Sequence, residues 1–221
     1  AMVIVTATGE KYTGSATKTF KIVDNSEGAF IDLSKATIAL DPTEFDYDGT
    51  AKQPAVTVTV DGVEIPRTIT VGEDTKTLYN VTYTDNTNAG TAHVSIAAVA
   101  DATLDGTAEG KGIIGTATKD FTIKPVELSN DDLANVEVKV LGTYSYTGAI
   151  LLPQLQVTYT DGTTPVTLVK DVDYSVAYDR EVRNAGTYTG TLTLTGNYAL
   201  AADANLTTTV TVNKADLAGA A

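Results

Sequence analysis

Three short segments of the sequence each place two carboxylates close enough together to suggest a metal site. The pairs are Asp46 and Asp48, Asp171 and Asp173, and Asp24 and Glu27. Calcium binds oxygen ligands of this kind, but it takes about six to eight of them, and none of the segments has the spacing of an EF-hand loop. We therefore interpret the pairs as solvated turn carboxylates, and we predict no metal site and no cofactor. Calcium bound at a junction between domains is the alternative interpretation.

The residues for nucleophilic or acid–base catalysis are almost absent, because the chain has one histidine and no cysteine. His93 alternates with the apolar residues Val94 and Ile96, so we predict an exposed strand residue rather than a general base. The glycine-rich segment Gly110 to Gly115 lacks the strand–loop–helix context of a phosphate-binding loop and is interpreted as a hairpin insertion. We therefore predict that the protein is not an enzyme and has no catalytic residue.

Two further chemistries remain open as alternatives. Lys139 in one strand and Asn213 after another are candidate partners for an intramolecular amide crosslink, which requires buried and aligned side chains. Tyr47 and Tyr146 each stand two residues before a glycine. We interpret both as corner or core residues, with an aromatic platform for a sugar as the alternative.

These residues lie within or beside an internal sequence repeat, whose folded units must position their side chains. Asn-Ala-Gly-Thr occurs at 88–91 and 184–187, and each copy follows a Tyr-x-Val-x-Tyr segment, at 79–83 and 174–178. Tyr-x-Gly followed by a proline precedes each copy. We predict one domain at 31–124 and a second at 125–214, preceded at 1–24 by the C-terminal strands of a truncated unit.

Alternating residues within each repeat predict β-strands that bury one face. In Ala-Val-Thr-Val-Thr-Val, for example, Val56, Val58 and Val60 share a face. Strands of this kind require two sheets that pack face to face, with Asp61-Gly62 and Asp161-Gly162 as hairpin turns. The Asn-Ala-Gly-Thr segments are predicted to be loops, because Asn and Gly tolerate the positive φ that a tight connection needs.

The connections between strands are predicted from composition. One helical turn is expected within 127–136, with Ser129 as its cap. A long exposed loop is expected for Ala100 to Gly115, and short linkers for 23–30 and 124–132. In the N-terminal segment, Val3, Val5, Phe20 and Ile22 belong to a two-stranded hairpin. Because an isolated hairpin is marginally stable, it must fray, pack on a neighbour or pair with another chain, and we expect packing or pairing rather than fraying.

The order of these motifs resembles the tandem immunoglobulin-like repeats of bacterial surface proteins, in particular their YDG type. The residues that carry the resemblance are Tyr47 to Ala51, Asp173-Tyr174, Asn86 to Thr91 and Tyr12 to Ile22. The resemblance implies all-β, antiparallel, Ig-like β-sandwich modules joined by short linkers. It further implies a non-enzymatic extracellular stalk or adhesin on the bacterial cell surface. Its partners would be neighbouring repeats of the same chain and a host or cell-surface protein or glycan.

The amino-acid composition further limits the possible classes of partner. A net charge of −13 and no visible Lys/Arg stripe exclude a nucleic-acid partner. No apolar run approaches the roughly 18–20 residues of a membrane span, so we predict no membrane insertion of this fragment. The alternative function is a carbohydrate-binding accessory module of a secreted enzyme. The chain has no Trp for a sugar platform, although it has 11 Tyr.

Overall fold

The chain folds as an all-β protein in the computed structural model, which describes residues 2–7, 11, 13–19, 30–107, 110–162 and 164–216. The described part of the chain contains 22 strands, two 3-10 turns and no α-helix. The all-β part of the predicted fold class is therefore confirmed. Val and Thr dominate the strands because their branched side chains fit a pleated surface.

The strands fall into an N-terminal hairpin followed by two sets. The hairpin consists of β1 (Met2–Thr6) and β2 (Ser15–Thr19). We call the next eleven strands the first strand set: β3 (Phe30–Asp32), β4 (Thr37–Asp41), β5 (Glu44–Asp46), β6 (Ala55–Val60), β7 (Val63–Glu64), β8 (Thr68–Val71), β9 (Asp74–Thr77), β10 (Tyr79–Thr84), β11 (Gly90–Ala98), β12 (Gly112–Ile114) and β13 (Thr116–Lys124). The second strand set comprises β14 (Val126–Leu128), β15 (Val136–Leu141), β16 (Tyr144–Ser145), β17 (Gln154–Asp161), β18 (Thr164–Leu168), β19 (Tyr174–Tyr178), β20 (Gly186–Leu194), β21 (Tyr198–Leu200) and β22 (Leu206–Asn213).

The two strand sets pair their strands in the same order. The first contains sheets β10-β11-β13-β5, β4-β6-β7 and β12-β3, and the second contains β19-β20-β22-β16, β15-β17-β18 and β21-β14. The hairpin β8-β9 occurs in the first set and has no counterpart among the described strands of the second. The repeat in the sequence is thus a repeat of strand topology.

An early strand of each set pairs in parallel with its last strand. In the first set β5 pairs with β13, and in the second β16 pairs with β22. Most other pairs are antiparallel, including β15 with β17 and β20 with β22. The parallel pairs place the beginning and the end of each strand set side by side.

Clustering of contacts divides the chain into two compact units. The first unit contains Ala1–Ala39, Val56–Thr82 and Ser95–Thr118. The second contains Leu40–Ala55, Tyr83–Val94 and Lys119–Ala221. The predicted domain boundaries at 1–24, 31–124 and 125–214 remain predictions.

Alternating apolar residues bury as the sequence predicts. Val58 and Val60 are buried on β6, and Val94 and Ile96 are buried on β11. The second strand set has a core cluster of nine buried residues: Leu128, Val157, Tyr159, Leu168, Tyr174, Leu192, Leu194, Tyr198 and Leu206. The hydrophobic effect favours each of these side chains by roughly 1.5–3 kcal/mol relative to an exposed position.

The turns confirm the predicted hairpins and correct one detail. Asp61 and Gly62 both have positive φ between paired strands, as a type I′ turn requires. At the second hairpin Asp161 still belongs to β17, and the turn begins one residue later at Gly162. In the Asn-Ala-Gly-Thr loops the glycines, Gly90 and Gly186, adopt positive φ, whereas the asparagines of the described chain do not. In both loops the residue with positive φ is therefore the glycine.

The segment from 100 to 115 is less exposed than the sequence suggests. Its two arms face each other, since the Leu104 amide donates to the Lys111 carbonyl at 2.9 Å. Thr103 is buried and donates its hydroxyl to the Thr107 carbonyl, and Ile113 is buried on β12. The expected long loop is therefore anchored at two buried residues, Thr103 and Ile113.

The predicted helical turn is a 3-10 turn at Asp132–Asn135. The Ser129 amide and hydroxyl donate to the Asp132 carboxylate at 2.9 and 2.6 Å, and the Asp132 amide donates to the Ser129 hydroxyl at 3.4 Å. Ser129 and Asp132 thus exchange hydrogen bonds in the manner of a capping box. The residue at the N-cap position is nevertheless Asp131, whose side chain makes no cap hydrogen bond, so Ser129 lies two residues before the cap position predicted for it.

The N-terminal hairpin forms as predicted, with Met2 opposite Thr19 and Thr6 opposite Ser15. Every β1 side chain is exposed, including Val3 and Val5. Other predictions fall outside the described residues. These concern the aromatic and apolar residues and the carboxylate pair of this segment, namely Tyr12, Phe20, Ile22, Asp24 and Glu27.

Candidate functional site

The Tyr-x-Gly segments form a side-chain-capped turn in both strand sets. The Asp48 carboxylate accepts hydrogen bonds from the Thr50 amide at 2.8 Å and the Thr50 hydroxyl at 2.6 Å, and it pairs with Lys52. In the second set the Thr147 hydroxyl accepts from the Ala149 amide at 3.3 Å. Gly49 and Gly148 both take the positive φ that the turn needs.

The electrostatics of the first turn explain why Asp48 stays ionised. The hydrogen bond from Lys52 and then those from Thr50 hold the pKa of the Asp48 carboxyl far below its usual range. The carboxylate is exposed and its oxygens are engaged within the turn. Asp48 therefore acts as a local cap and does not present free ligands.

The tyrosine before each turn is anchored in the same way. The Tyr47 amide donates to the Lys124 carbonyl at 2.9 Å, and the Tyr146 amide donates to the Asn213 carbonyl at 2.9 Å. These bonds continue the parallel pairing of β5 with β13 and of β16 with β22. Each tyrosine consequently lies where its own strand set ends.

Tyr47 carries its ring into the second strand set. It packs against the core cluster of that set and meets Tyr198 edge-on, with ring centroids 6.0 Å apart. Tyr198 in turn meets Tyr159 at 5.9 Å, again edge-on. Pairs with this geometry are worth about 0.5–1.5 kcal/mol each beyond the area they bury.

Asn197 completes the contact through hydrogen bonds to the loop that contains Asn-Ala-Gly-Thr. Its side-chain oxygen accepts from the Ala89 amide at 2.7 Å, and its side-chain nitrogen donates to the Asn88 side chain at 3.2 Å. Its own carbonyl accepts from the Val126 amide at 2.9 Å. One asparagine therefore connects a loop of the first strand set, the start of β14 and the approach to β21.

We call this group the junction: Tyr47, Asn88 and Ala89 from the first strand set, and Asn197 and Tyr198 from the second. All five residues belong to the second compact unit. The contact is partly apolar and partly hydrogen-bonded, and no charged side chain takes part among these five. Such a contact fixes the relative position of the two segments, because the tyrosine rings must pack and the asparagine amide must form its hydrogen bonds at the same time.

The single histidine lies on the outer face of β11, where the sequence predicts it. Its Nδ1 is 2.7 Å from Asp120 Oδ1, and its Nε2 is 4.0 Å from Asp85 Oδ2. The His93 side chain is 44% exposed. Neither neighbour is a hydroxyl or thiol nucleophile, so this arrangement is a surface ion pair when the imidazole is protonated.

The acidic candidates occupy separate turns. Asp171 has positive φ beside Lys170, and the Asp173 carboxylate accepts from the Val169 amide at 2.8 Å. Across the described ranges, no three His, Cys, Asp or Glu residues come together as a metal ion would require. Lys139 on β15 and Asn213 on β22 belong to different sheets, and both are exposed. These positions lack the burial that an amide crosslink needs.

One depression of the second strand set is lined mostly by apolar residues, among them Ile150, Leu152 and Tyr178. Ile150 and Leu152 are exposed. The Tyr178 hydroxyl is buried and has no hydrogen-bond partner, and its burial raises its pKa. Lys170, Arg180 and Glu181 are the charged residues of its lining.

Comparison with known proteins adds no assignment: no protein-family model matches the chain, and no curated protein matches it significantly. No helix in the described ranges is long and apolar enough to cross a membrane. The junction therefore has to be interpreted from its own geometry.

The sequence locates three of the five junction residues. Tyr47, Asn88 and Ala89 lie in the repeated motifs, whereas Asn197 and Tyr198 belong to no motif that the two repeats share. A signal was nevertheless present, since Gly196-Asn197 is a turn dipeptide directly before a strand. Its partner could not be deduced, because the contact joins residues more than a hundred positions apart.

Proposed function

We propose that this protein is a non-enzymatic structural and interaction protein built from tandem immunoglobulin-like β-sandwich modules. In this proposal it belongs to a bacterial cell-surface protein and forms part of an extracellular stalk or adhesin array. The observation that carries the proposal is the junction, in which one strand set holds the next through Tyr47 and Asn197. The repeated strand order supports it as well.

The parallel end strands suit a load-bearing role. β5 and β13 are parallel, and in the sequence they lie near the beginning and the end of the first strand set. Pulling the chain by its ends therefore loads all hydrogen bonds between these two strands at the same time, in shear. The Thr122 amide donates to the Thr43 carbonyl at 3.0 Å and the Tyr47 amide to the Lys124 carbonyl at 2.9 Å. The second strand set repeats this arrangement with β16 and β22.

Single-molecule pulling on the full chain tests this proposal. We expect two unfolding events, each releasing roughly 300 Å of chain, since about 90 residues extend by about 3.3–3.6 Å each. Thr122→Pro removes one donor of the parallel pair and should lower the force of one event. The control, Thr193→Ser, changes an exposed residue outside the parallel pairs and should leave both forces unchanged. A single gradual extension without peaks would contradict a mechanical role.

A carbohydrate-binding accessory module is the second candidate, and one observation favours it. The Tyr146 ring is 44% exposed, and exposed aromatic rings can stack on sugars. A glycan array with the full chain separates the two functions. Saturable binding that Tyr146→Ala abolishes would favour the accessory module over the stalk.

A further inference from the structure

Tyr146 reproduces the pose of Tyr47 without the contact that Tyr47 makes. A methyl group added at Gly49 would lie 3.9 Å from the Tyr47 hydroxyl, and one added at Gly148 would lie 3.8 Å from the Tyr146 hydroxyl. Each ring is therefore held over its own turn in the same way. Tyr47 is partly buried against the second strand set, whereas Tyr146 is exposed.

The neighbouring loop shows the same correspondence. The Lys52 amide donates to the Asn86 carbonyl at 2.7 Å, and the Leu151 amide donates to the Val182 carbonyl at 2.8 Å. These bonds hold the Asn-Ala-Gly-Thr loop of each strand set beside its Tyr-x-Gly turn. Ala89 of the first loop is partly buried, while Ala185 of the second is exposed.

The sequence around the last strand also follows the pattern of the junction. An apolar residue, an acidic residue and leucine occur at 31–33 and 126–128, and Ala215, Asp216 and Leu217 repeat the pattern. Val126 stands three residues after Ile123, and Ala215 stands three residues after Val212. The sequence that follows β22 therefore has the same pattern of apolar, acidic and leucine residues as the sequence that follows β13.

We propose that Tyr146 and the loop Asn184–Gly186 form a docking surface for another module of the same kind. The occupant would place an aromatic ring against Tyr146 and an asparagine side chain against the Ala185 amide, as Tyr198 and Asn197 do in the junction. This inference rests on the proposed function, because it assigns a specific surface to contacts between modules. The surface is preformed, so little ordering entropy opposes docking.

Hydrogen exchange in an extended chain tests the docking surface. A second copy of residues 125–216 is fused directly after Asn213 of the full chain, which reproduces the connection of the junction. We expect the Ala185 amide to exchange about tenfold or more slowly than in the unextended chain, because it gains the hydrogen bond that Ala89 already has. In the extended chain Tyr146→Ala should remove most of this protection, while Tyr146→Phe, which keeps the ring, should retain it.

The Ala89 amide distinguishes failure of this inference from failure of the proposed function. If Ala89 is protected and Ala185 exchanges equally fast in both chains, the docking surface is refuted and the junction stands. If Ala89 is unprotected as well, the junction itself fails. An appended copy that stays unfolded beside a folded original would also refute the inference. Glycan-array binding that depends on Tyr146, with no protection of Ala185, would reassign the surface to sugars.

Discussion

Tyrosine determines much of the chemistry of this protein at the scale of single residues. Burial is the main cause that raises the pKa of five of its hydroxyls: Tyr79, Tyr159, Tyr174, Tyr178 and Tyr198. The carboxylates behave in the opposite sense, since the pKa of Asp132 is lowered chiefly by its hydrogen bond with the Ser129 side chain. The tyrosines are thus packed in the interior, whereas the aspartates accept hydrogen bonds in turns at the surface.

The raised tyrosine pKa values predict loss of stability in alkali. A group whose pKa is higher in the folded state favours folding fully below its unfolded value, near 10. It loses that contribution as the pH rises through the folded value. We expect the melting temperature to hold between about pH 7 and 9 and to fall above about pH 10. Thermal melts with tyrosinate absorbance measure both changes, and Tyr198→Phe should weaken the dependence. Unchanged melting after all tyrosines have ionised would contradict the prediction.

Loops that carry the junction motifs are fixed differently in the two strand sets. In the second set the buried Tyr188 donates its hydroxyl to the Asn184 carbonyl at 2.7 Å and accepts from the Arg183 amide at 3.3 Å. The Arg180 guanidinium lies 4.4 Å from the centre of the Tyr188 ring. The first set has Ala92 at the matching position, and Asn197 holds its loop from outside. Besides the hydrogen bonds to its own Tyr-x-Gly turn, the loop is thus held by a core tyrosine in the second set and by Asn197 of the neighbouring set in the first.

Removing the Tyr188 hydroxyl should loosen the second loop without disturbing the core. Tyr188→Phe keeps the buried ring but leaves the Asn184 carbonyl and the Arg183 amide without this partner. We expect a loss of about 1–2 kcal/mol in the free energy of unfolding, the usual cost of such hydrogen bonds. Denaturant unfolding measures the loss, and Tyr146→Phe on an exposed ring is the matched control. An equal effect of both substitutions would show that the hydroxyl does not anchor the loop.

At the scale of the whole molecule, two properties are of interest: the high negative charge and the exposed N-terminal hairpin. A net charge of −13 repels other anionic molecules and favours solubility. The hairpin β1-β2 forms a sheet of its own with exposed apolar residues such as Ile4 and Val5. Two features of the molecule can therefore be tested separately, namely its acidic turns and its N-terminal hairpin.

Calcium should not be required for folding. The two strand sets share no cluster of acidic residues at equivalent positions, since Asp46 and Asp48 correspond to Ser145 and Thr147. We expect the melting temperature with calcium to agree with that in excess chelator. A ligand that binds only the folded state raises the melting temperature, so a marked rise with calcium would overturn our interpretation of the acidic turns.

Deleting residues 1 to 24 should leave the melting temperature of the remaining chain unchanged. The exposed β1 residues contribute little to a core, but the open edges of the hairpin can pair with another chain. We therefore expect the deletion to remove any association that depends on concentration. Calorimetry and sedimentation of both chains measure the two effects. Unfolding of residues 31–124 after the deletion would show that the hairpin is an integral part of that domain.

The sequence by itself determined the all-β class, the repeat and most strands, because these depend on local periodicity. The alternation at Val56, Val58 and Val60 and the Asp61-Gly62 turn are local patterns with a direct steric cause. The inventory of one histidine and no cysteine likewise needs no structure.

Only the tertiary structure decided which residues of these local patterns come into contact with distant parts of the chain. The contacts of Tyr47 with Tyr198 and of Ala89 with Asn197 join distant parts of the chain. No periodicity encodes such pairs, because they arise when two strand sets pack and their polar groups must then find partners. For the same reason Tyr47 and Tyr146 look alike in sequence, yet one ring is packed against the next strand set and the other is exposed.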